Sequence, residues 1–190
     1  MFSSLEELKV ALRNGLKAKA RWPMIYCCLK INVDGALHRT NADGIGIVIW
    51  NSCSKLVVVA GWSITHWDST QVKVMVVHYI EQLLLDCMYE VDGVIIEGDN
   101  TSVMEFMHKC KQQEWWRLRS KEGDKLDWLK LFQKVLFVHT YREYNKVAHF
   151  CAQRAIEGSF VWETGDNHNI CIPQDFLSIL EDDSSSLALD

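Results

Sequence analysis

The chain has 190 residues, of which 48% are hydrophobic and 24% are charged, and it contains only two prolines. This length and composition predict a folded protein with a full hydrophobic core, and they exclude a disordered or collagen-like chain. The formal net charge of -5 at pH 7 excludes a histone-like protein that is basic over its whole surface.

The charge is distributed unevenly along the chain. Residues 1–25 carry a net charge of +3, residues 26–156 are neutral, and residues 157–190 carry -8. We therefore predict an amphipathic N-terminal extension over residues 1–25, one domain over residues 26–158, and an acidic, partly disordered C-terminal tail over residues 159–190. Because the acidity belongs to the tail, it does not argue against a surface on the domain that binds nucleic acid.

The seven cysteines and the N-terminus bear on where the protein resides. The number of cysteines is odd and no C-x-x-C pair occurs, which argues against a disulfide framework and a zinc ribbon and predicts reduced thiols. No apolar run is long enough to cross a membrane, and the N-terminus lacks the apolar segment of a secretory signal. We expect an intracellular protein of the cytoplasm or nucleus with no membrane partner; an organelle-targeting signal stays open.

The predicted elements begin with three strands, over residues 29–34, 44–50 and 55–64. The first alternates apolar and polar side chains, and turns rich in Asn, Asp, Gly and Ser separate the strands, which is typical of an antiparallel meander. A helix over residues 70–90 follows, and then a strand over residues 91–99 that opens with a turn and has a short apolar core, as is typical of a buried parallel strand.

The remaining predicted elements complete an α/β pattern. They are two helices, a strand and a last helix, over residues 101–109, 128–135, 135–143 and 145–156. We expect Asp99 or Asn100 to cap the helix that begins at residue 101. The order βββαβααβα predicts a mixed five-stranded sheet with helices packed on it.

Two aspartates follow the first and fourth predicted strands. Asp34 and Asp99 each stand at a strand end, and right-handed crossovers place those two strand ends side by side. Neighbouring carboxylates repel each other unless a cation lies between them, so one interpretation is a site for a divalent cation such as Mg²⁺. The other interpretation is that each aspartate is a turn or cap residue.

Three motifs carry a resemblance to a known family. The segments KINVDGALHRTNADGIGIVIW, VDGVIIEGDNTSVM and HTYREYNKVAHFCAQRA occur in this order. They resemble the plant ribonuclease H-like family that is related to the ribonuclease H part of retroelement reverse transcriptases. The resemblance implies the ribonuclease H-like fold with helices on both faces of the sheet. It also implies cleavage of the RNA strand of RNA–DNA hybrids by two magnesium ions that four acidic residues hold.

The resemblance assigns roles to individual residues, and two of them depart from the family pattern. Asp34 and Asp99 match the first and third acids, which are catalytic and bind the metal, and His139 matches a catalytic-loop histidine. The second and fourth acids are replaced by Met75 and His149. A thioether is too soft a ligand for Mg²⁺, so we expect the metal to be weakly bound or absent and catalysis to be impaired. An alternative site for zinc or manganese would use His78 and His149 with the two aspartates.

A basic segment over residues 109–134 has a net charge of +4 and contains a tryptophan pair. We predict that this segment contacts nucleic acid, an RNA–DNA hybrid or RNA, through Lys111, Trp115, Trp116, Arg117, Arg119 and Lys121. The other interpretation is a solvated helix face with core tryptophans. The sequence favours a pseudo-nuclease that binds nucleic acid; the alternatives are an active hybrid-cleaving ribonuclease and a protein-interaction domain or decayed retroelement fragment.

Overall fold

The computed structural model describes most of the predicted domain. It covers residues 28–37, 42–65, 69–84, 86–112, 124–163 and 173–185. The predicted N-terminal extension over residues 1–25 lies outside these residues. No helix in the described ranges is both long and apolar enough to cross a membrane.

The described part of the chain forms one mixed sheet of six strands in the order β5-β4-β1-β2-β3-β6. The strands are β1 Cys28–Ala36, β2 Ala42–Trp50, β3 Leu56–Thr65, β4 Gly93–Gly98, β5 Lys134–His139 and β6 Phe160–Glu163. The strands β1, β2, β3 and β6 pair in antiparallel fashion, and β4 and β5 pair with β1 and with each other in parallel. The prediction of five strands was wrong by one, because β6 has only four residues and pairs with β3 from beyond the predicted domain boundary.

The helices lie on both faces of the sheet, as predicted. They are α1 Ser69–Glu81, α2 Thr101–Gln112, α3 Lys146–Ala155 and α4 Gln174–Ser185, with short 3₁₀ helices over Asp86–Glu90, Asp124–Leu131 and Arg142–Tyr144. The backbone N–H of Val103 donates to the side chain of Asn100 at 3.0 Å, which confirms a cap at the start of α2.

Two helix predictions need correction. The helix predicted over residues 70–90 ends at Glu81, and a separate 3₁₀ helix covers its last five residues. The helix predicted over residues 128–135 is the 3₁₀ helix over Asp124–Leu131, since the chain must extend at Lys134 to pair with Gly93 of β4.

Each face of the sheet carries its own core. On one face, Ile31, Ile47 and Ile96 of the sheet pack with Val77 and Ile80 of α1 in a large apolar cluster. The methionines and valine of α2 and the aromatic side chains near the second 3₁₀ helix, Val103, Met104, Met107, Trp128 and Phe132, complete this cluster. A smaller cluster on the other face joins the sheet to α3 and α4.

The helix α3 approaches β2 unusually closely. A Cβ atom on Gly44 would collide with the backbone carbonyl of Ala152, and one on Gly46 would collide with that of Ala148. Because glycine leaves this space empty, the backbone of α3 rests directly on the sheet. This contact sets the height and rotation of α3 above β2.

The last two described elements lie beyond residue 158, where sequence reasoning ended the domain and began the tail. Phe160 and Trp162 of β6 stack with ring centroids 4.3 Å apart. Phe176 of α4 is fully buried and meets Trp162 edge-on at 5.5 Å. The packed unit therefore includes β6 and the first turns of α4.

Candidate functional site

A cavity of about 200 Å³ opens where the parallel strands β1 and β4 end. Val33 of β1 pairs with Gly98 of β4, so Asp34 and Asp99 follow at neighbouring positions on the two strands. Both aspartates line the cavity together with His149. The structure thus brings together three of the residues that sequence reasoning singled out.

The Asp34 carboxylate is buried and already holds hydrogen bonds at both oxygens. Its Oδ1 accepts from the backbone N–H of Gly35 at 2.8 Å. Its Oδ2 lies 2.7 Å from Nδ1 of His149. Burial and then the negative charge of Asp99 raise the pKa of the Asp34 carboxyl above its ordinary value of 3.8, against the opposing effect of the His149 hydrogen bond.

Arg142 extends this contact into a chain of three side chains. Its Nη2 lies 2.9 Å from Nε2 of His149. A guanidinium only donates hydrogen bonds, so Nε2 accepts here and Nδ1 carries the proton that His149 donates to Asp34. His149 is therefore a neutral imidazole held between an anion and a cation.

Asn145 fixes the start of α3 against β1 and so positions His149. Its Nδ2 donates to the backbone carbonyl of Val33 at 3.0 Å, and its Oδ1 accepts from Nδ2 of Asn32 at 3.2 Å. Asn145 and Asn32 are both buried. His149 follows one turn later, and its backbone N–H donates to the carbonyl of Asn145 at 3.0 Å.

The same network continues through Asn32 into the sheet. Asn32 donates to Oε2 of Glu97 at 3.2 Å and accepts from Nε1 of Trp50 at 3.1 Å. Lys30 pairs with the same Oε2 of Glu97 at 3.0 Å, which neutralises a carboxylate that is only 6% exposed. Glu97 is therefore committed to this structural network and does not line the cavity.

The helix α1 brings no carboxylate to the cavity. Met75 is half-buried and packs against the large core, while its neighbour Val76 lines the cavity and is the one residue over 75–81 of α1 that does so. Glu81 is exposed, and it is not among the residues that line the cavity. The assignment of Met75 to the position of the second acid stays a prediction from the resemblance.

His139 and His78 stand apart from the cavity. His139 is exposed at the end of β5, where its Nε2 lies 3.2 Å from the backbone carbonyl of Asp99. His78 is half-buried on α1 with its ring 5.8 Å from that of Tyr79. Neither histidine lines the cavity.

Of the residues predicted to bind nucleic acid, the structure describes only Lys111. Its ammonium group donates to the backbone carbonyl of Val135 and so ties α2 to β5. Trp115, Trp116, Arg117, Arg119 and Lys121 lie outside the described residues.

Sequence reasoning missed Arg142 and the asparagine network. Arg142 and His149 are seven residues apart, and the 3₁₀ turn over Arg142–Tyr144 folds the arginine back over the first turns of α3. An arginine seven residues before a site histidine, about two helical turns, was the available signal. Asn32 gave none, because an asparagine inside an alternating strand is equally compatible with an exposed position.

The described residues do not fit a pair of magnesium ions. Within the described ranges, no group of three or more His, Cys, Asp or Glu side chains is arranged to hold a metal. Both oxygens of Asp34 are engaged, and the Arg142 cation lines the same cavity. Two carboxylates with water can hold one Mg²⁺, but a pair of such ions would face the Arg142 cation with only Asp34 and Asp99 to offset four positive charges. The same finding argues against the zinc or manganese site with His78.

The raised pKa of Asp34 predicts a pH-dependent effect of Asp34→Asn on stability. A carboxyl whose folded pKa lies above 3.8 costs stability in its ionised form, and this cost grows as pH rises from 3.8 through the folded value. Asparagine carries no charge, and its single side-chain oxygen can accept from His149 but not also from the backbone N–H of Gly35. We expect the stability of Asp34→Asn relative to wild type to be higher at pH 7 than below pH 3.8, as measured by calorimetry at both pH values.

The control for this experiment is Asp92→Asn, because Asp92 is exposed. That substitution is expected to leave the Tm close to the wild-type value at both pH values. A difference in stability between Asp34→Asn and wild type that is the same at both pH values would contradict the interpretation.

Comparison with known proteins identifies the family. A sequence model of the family described as reverse transcriptase-like matches residues 32–155, about two thirds of the chain. A search of curated proteins finds no match.

Solved structures of ribonucleases H and reverse transcriptases share the fold at low sequence identity. Ribonuclease H1 from the halophilic archaeon Halobacterium salinarum superposes with a TM-score of 0.55 and 17% identity, over 68% of this chain and 98% of the other. A foamy viral protease-reverse transcriptase in complex with double-stranded DNA gives a TM-score of 0.54 and 16% identity, over 70% of this chain and 96% of the other.

A second foamy viral structure, in complex with an RNA/DNA hybrid, gives a TM-score of 0.51 and 13% identity, over 68% of this chain and 20% of the other. At these identities the likeness concerns the fold. The sequence match over residues 32–155 and the shared fold together show that the chain belongs to the reverse transcriptase-like family and forms a ribonuclease H-like domain.

Proposed function

We propose that this protein is a ribonuclease H-like domain that binds nucleic acid and is impaired in metal-dependent cleavage. The observation that carries the proposal is the state of Asp34, whose two oxygens are taken by Gly35 and His149 while Arg142 stands behind the histidine. In the family resemblance, an acid stands where His149 is, and Asp34 is a metal ligand. In this protein the side chains at these two positions, Asp34 and His149, are hydrogen-bonded to each other.

The case for nucleic-acid binding rests on the family and on charge. The related foamy viral structures were solved with double-stranded DNA and with an RNA/DNA hybrid. The segment over residues 109–134 has a net charge of +4, and its basic and tryptophan residues have the chemistry to contact phosphates and bases. We propose Arg117, Arg119 and Lys121 as the residues that contribute most, since each carries a full positive charge.

The test combines binding and cleavage on one labelled RNA–DNA hybrid. We expect binding that weakens steeply as salt rises, measured by fluorescence anisotropy, and a triple substitution of Arg117, Arg119 and Lys121 to Ala that lowers the salt slope by about 2–3. In Mg²⁺ or Mn²⁺ we expect cleavage by wild type to equal that of an Asp34→Asn, Asp99→Asn control.

Each of the other functions has its own outcome in this experiment. Cleavage above the double-aspartate control would establish the active ribonuclease instead. An affinity for the hybrid that changes neither with salt nor with the triple substitution would favour the protein-interaction domain. If the protein neither cleaves nor binds the hybrid, while circular dichroism shows that it is folded, the nucleic-acid role is refuted altogether.

We also propose that the protein resides inside the cell, in the cytoplasm or nucleus. Supporting this, Cys53 and Cys151 are free thiols. Immunolocalisation of the full chain is the measurement that checks this.

A further inference from the structure

A second cavity lies on the other side of His149, between α3 and α4. Its volume is about 420 Å³, within the range of about 300–1,000 Å³ that small-molecule sites occupy. Lys146, Phe150 and Gln153 line it from one face of α3, since they are spaced four and three residues apart. Ile179 of α4 forms the opposite wall. We call this space the α3–α4 pocket.

The α3–α4 pocket is cationic at one end. Arg142 and Lys146 both line it and are exposed, and within the part of the chain that the structure describes Glu143 is the one acidic residue that lines it. The net charge of these three side chains is positive, which favours an anion such as a phosphate.

The rest of the pocket is apolar and aromatic. Phe150 is half-buried, and its ring lies 6.0 Å from that of the fully buried Phe176, which holds it in place. Ile179 faces it from α4. Gln153 adds an amide that both donates and accepts hydrogen bonds. A planar heterocycle with polar edges suits these surroundings.

The position of the pocket ties it to the cavity of Asp34 and Asp99. Arg142 and His149 line both spaces, so an occupant of one is adjacent to an occupant of the other. The wall that α4 provides lies outside residues 32–155, which the family model matches. The pocket is therefore an addition to the family's matched domain.

We propose that the α3–α4 pocket binds one nucleotide unit of a nucleic-acid strand. The phosphate contacts Arg142 and Lys146, and the base lies against Phe150 and Ile179 with its edge toward Gln153. The inference rests on the proposed function, because it supplies a binding subsite beside the cavity of the ribonuclease H-like domain. An acidic peptide is the competing occupant, but it would leave the aromatic floor without a planar partner.

The experiment measures binding of adenosine 5′-monophosphate to the full chain by isothermal titration calorimetry. Lys146→Glu reverses one charge and is expected to weaken binding by about tenfold or more. Ile179→Ala removes part of the apolar wall and is expected to weaken binding by about fivefold, the equivalent of about 1 kcal/mol. Lys55→Glu and Val161→Ala are the matched controls, since both residues are exposed and neither lines the pocket; both should bind as wild type does.

Three outcomes would overturn the proposal. The first is the absence of binding at millimolar nucleotide, and the second is binding that both pocket substitutions leave unchanged. The third is displacement of the nucleotide by inorganic phosphate at equal affinity, or by a peptide of the acidic residues 181–190, which would assign the pocket to a lone phosphate or to an acidic peptide.

Binding of the RNA–DNA hybrid distinguishes the proposed nucleotide subsite from the proposed nucleic-acid-binding function. If the hybrid binds to wild type and to Lys146→Glu equally, the subsite is refuted and the proposed function stands. If the mononucleotide binds and the hybrid does not, the proposed function is refuted while the pocket remains a nucleotide site.

Discussion

Replacing Asn145 with alanine is expected to destabilise the protein by about 2–4 kcal/mol and to release His149 from Asp34. The substitution removes one hydrogen-bond partner from each of two buried groups, the carbonyl of Val33 and the amide of Asn32, which keeps its bond to Glu97. A buried group that loses a partner costs about 1–3 kcal/mol, and Asn145 lies in the buried interior with a relative exposure of 2%. The free energy of unfolding is measured by urea denaturation.

The matched control is Asn51→Ala. Asn51 also makes two hydrogen bonds, from the backbone N–H groups of Cys53 and Lys55, but in an exposed turn where water can replace it. Its removal is expected to cost less than about 1 kcal/mol. Equal losses in the two variants would show that the buried network contributes nothing special.

The effect of Asn145→Ala on the site has its own readout. The ¹⁵N shifts of the imidazole distinguish a ring protonated at Nδ1 from the other tautomer. We expect the Nδ1–H signature of His149 in wild type and in Asn51→Ala, and its loss in Asn145→Ala. Retention of that signature in Asn145→Ala would mean that α3 holds its position without Asn145.

Replacing Phe176 with alanine is expected to cost about 3–5 kcal/mol. The side chain is fully buried in the smaller core, where its ring meets those of Phe150 and Trp162. The cavity that the lost phenyl ring leaves is not refilled, because α3 is already in backbone contact with the sheet at Gly44 and Gly46 and cannot move closer. Thermal or urea unfolding followed by circular dichroism measures the loss.

Phe106→Ala is the control for Phe176→Ala, since Phe106 is 48% exposed on α2. It is expected to change stability by about 0.5 kcal/mol or less. If the two phenylalanines prove equivalent, then α4 lies on the domain without stabilising it. That result would favour the sequence-based boundary at residue 158.

The sequence was sufficient to predict most of the fold and the meeting of two aspartates. Apolar runs and Gly- and Asn-rich turns located the strands, and the handedness of crossovers placed Asp34 beside Asp99. These inferences rest on local periodicity and on a general chirality rule. Both act within a few residues or apply to all sheets, so neither depends on the particular packing of this chain.

The remaining features depend on contacts between distant residues. The strand β6 has four residues, and its sequence shows no alternation of apolar and polar side chains. Only its pairing with β3 makes it a strand. Asn32 and Asn145 are 113 residues apart, and neither has a local pattern that reveals its partner. Arg142 is oriented toward His149 by the 3₁₀ turn over Arg142–Tyr144. This turn has only three residues, which is too short to be predicted from its composition.

The glycines of β2 bear on how the chemistry of this domain can change. Gly44 and Gly46 line neither cavity and carry no functional group, yet they decide how closely α3 lies on the sheet and therefore where His149 lies. A methyl group added at either position would lift the helix and separate the imidazole from the carboxylate. Selection for a different reactivity can thus operate on two glycines of β2 that an inventory of cavity-lining residues would overlook.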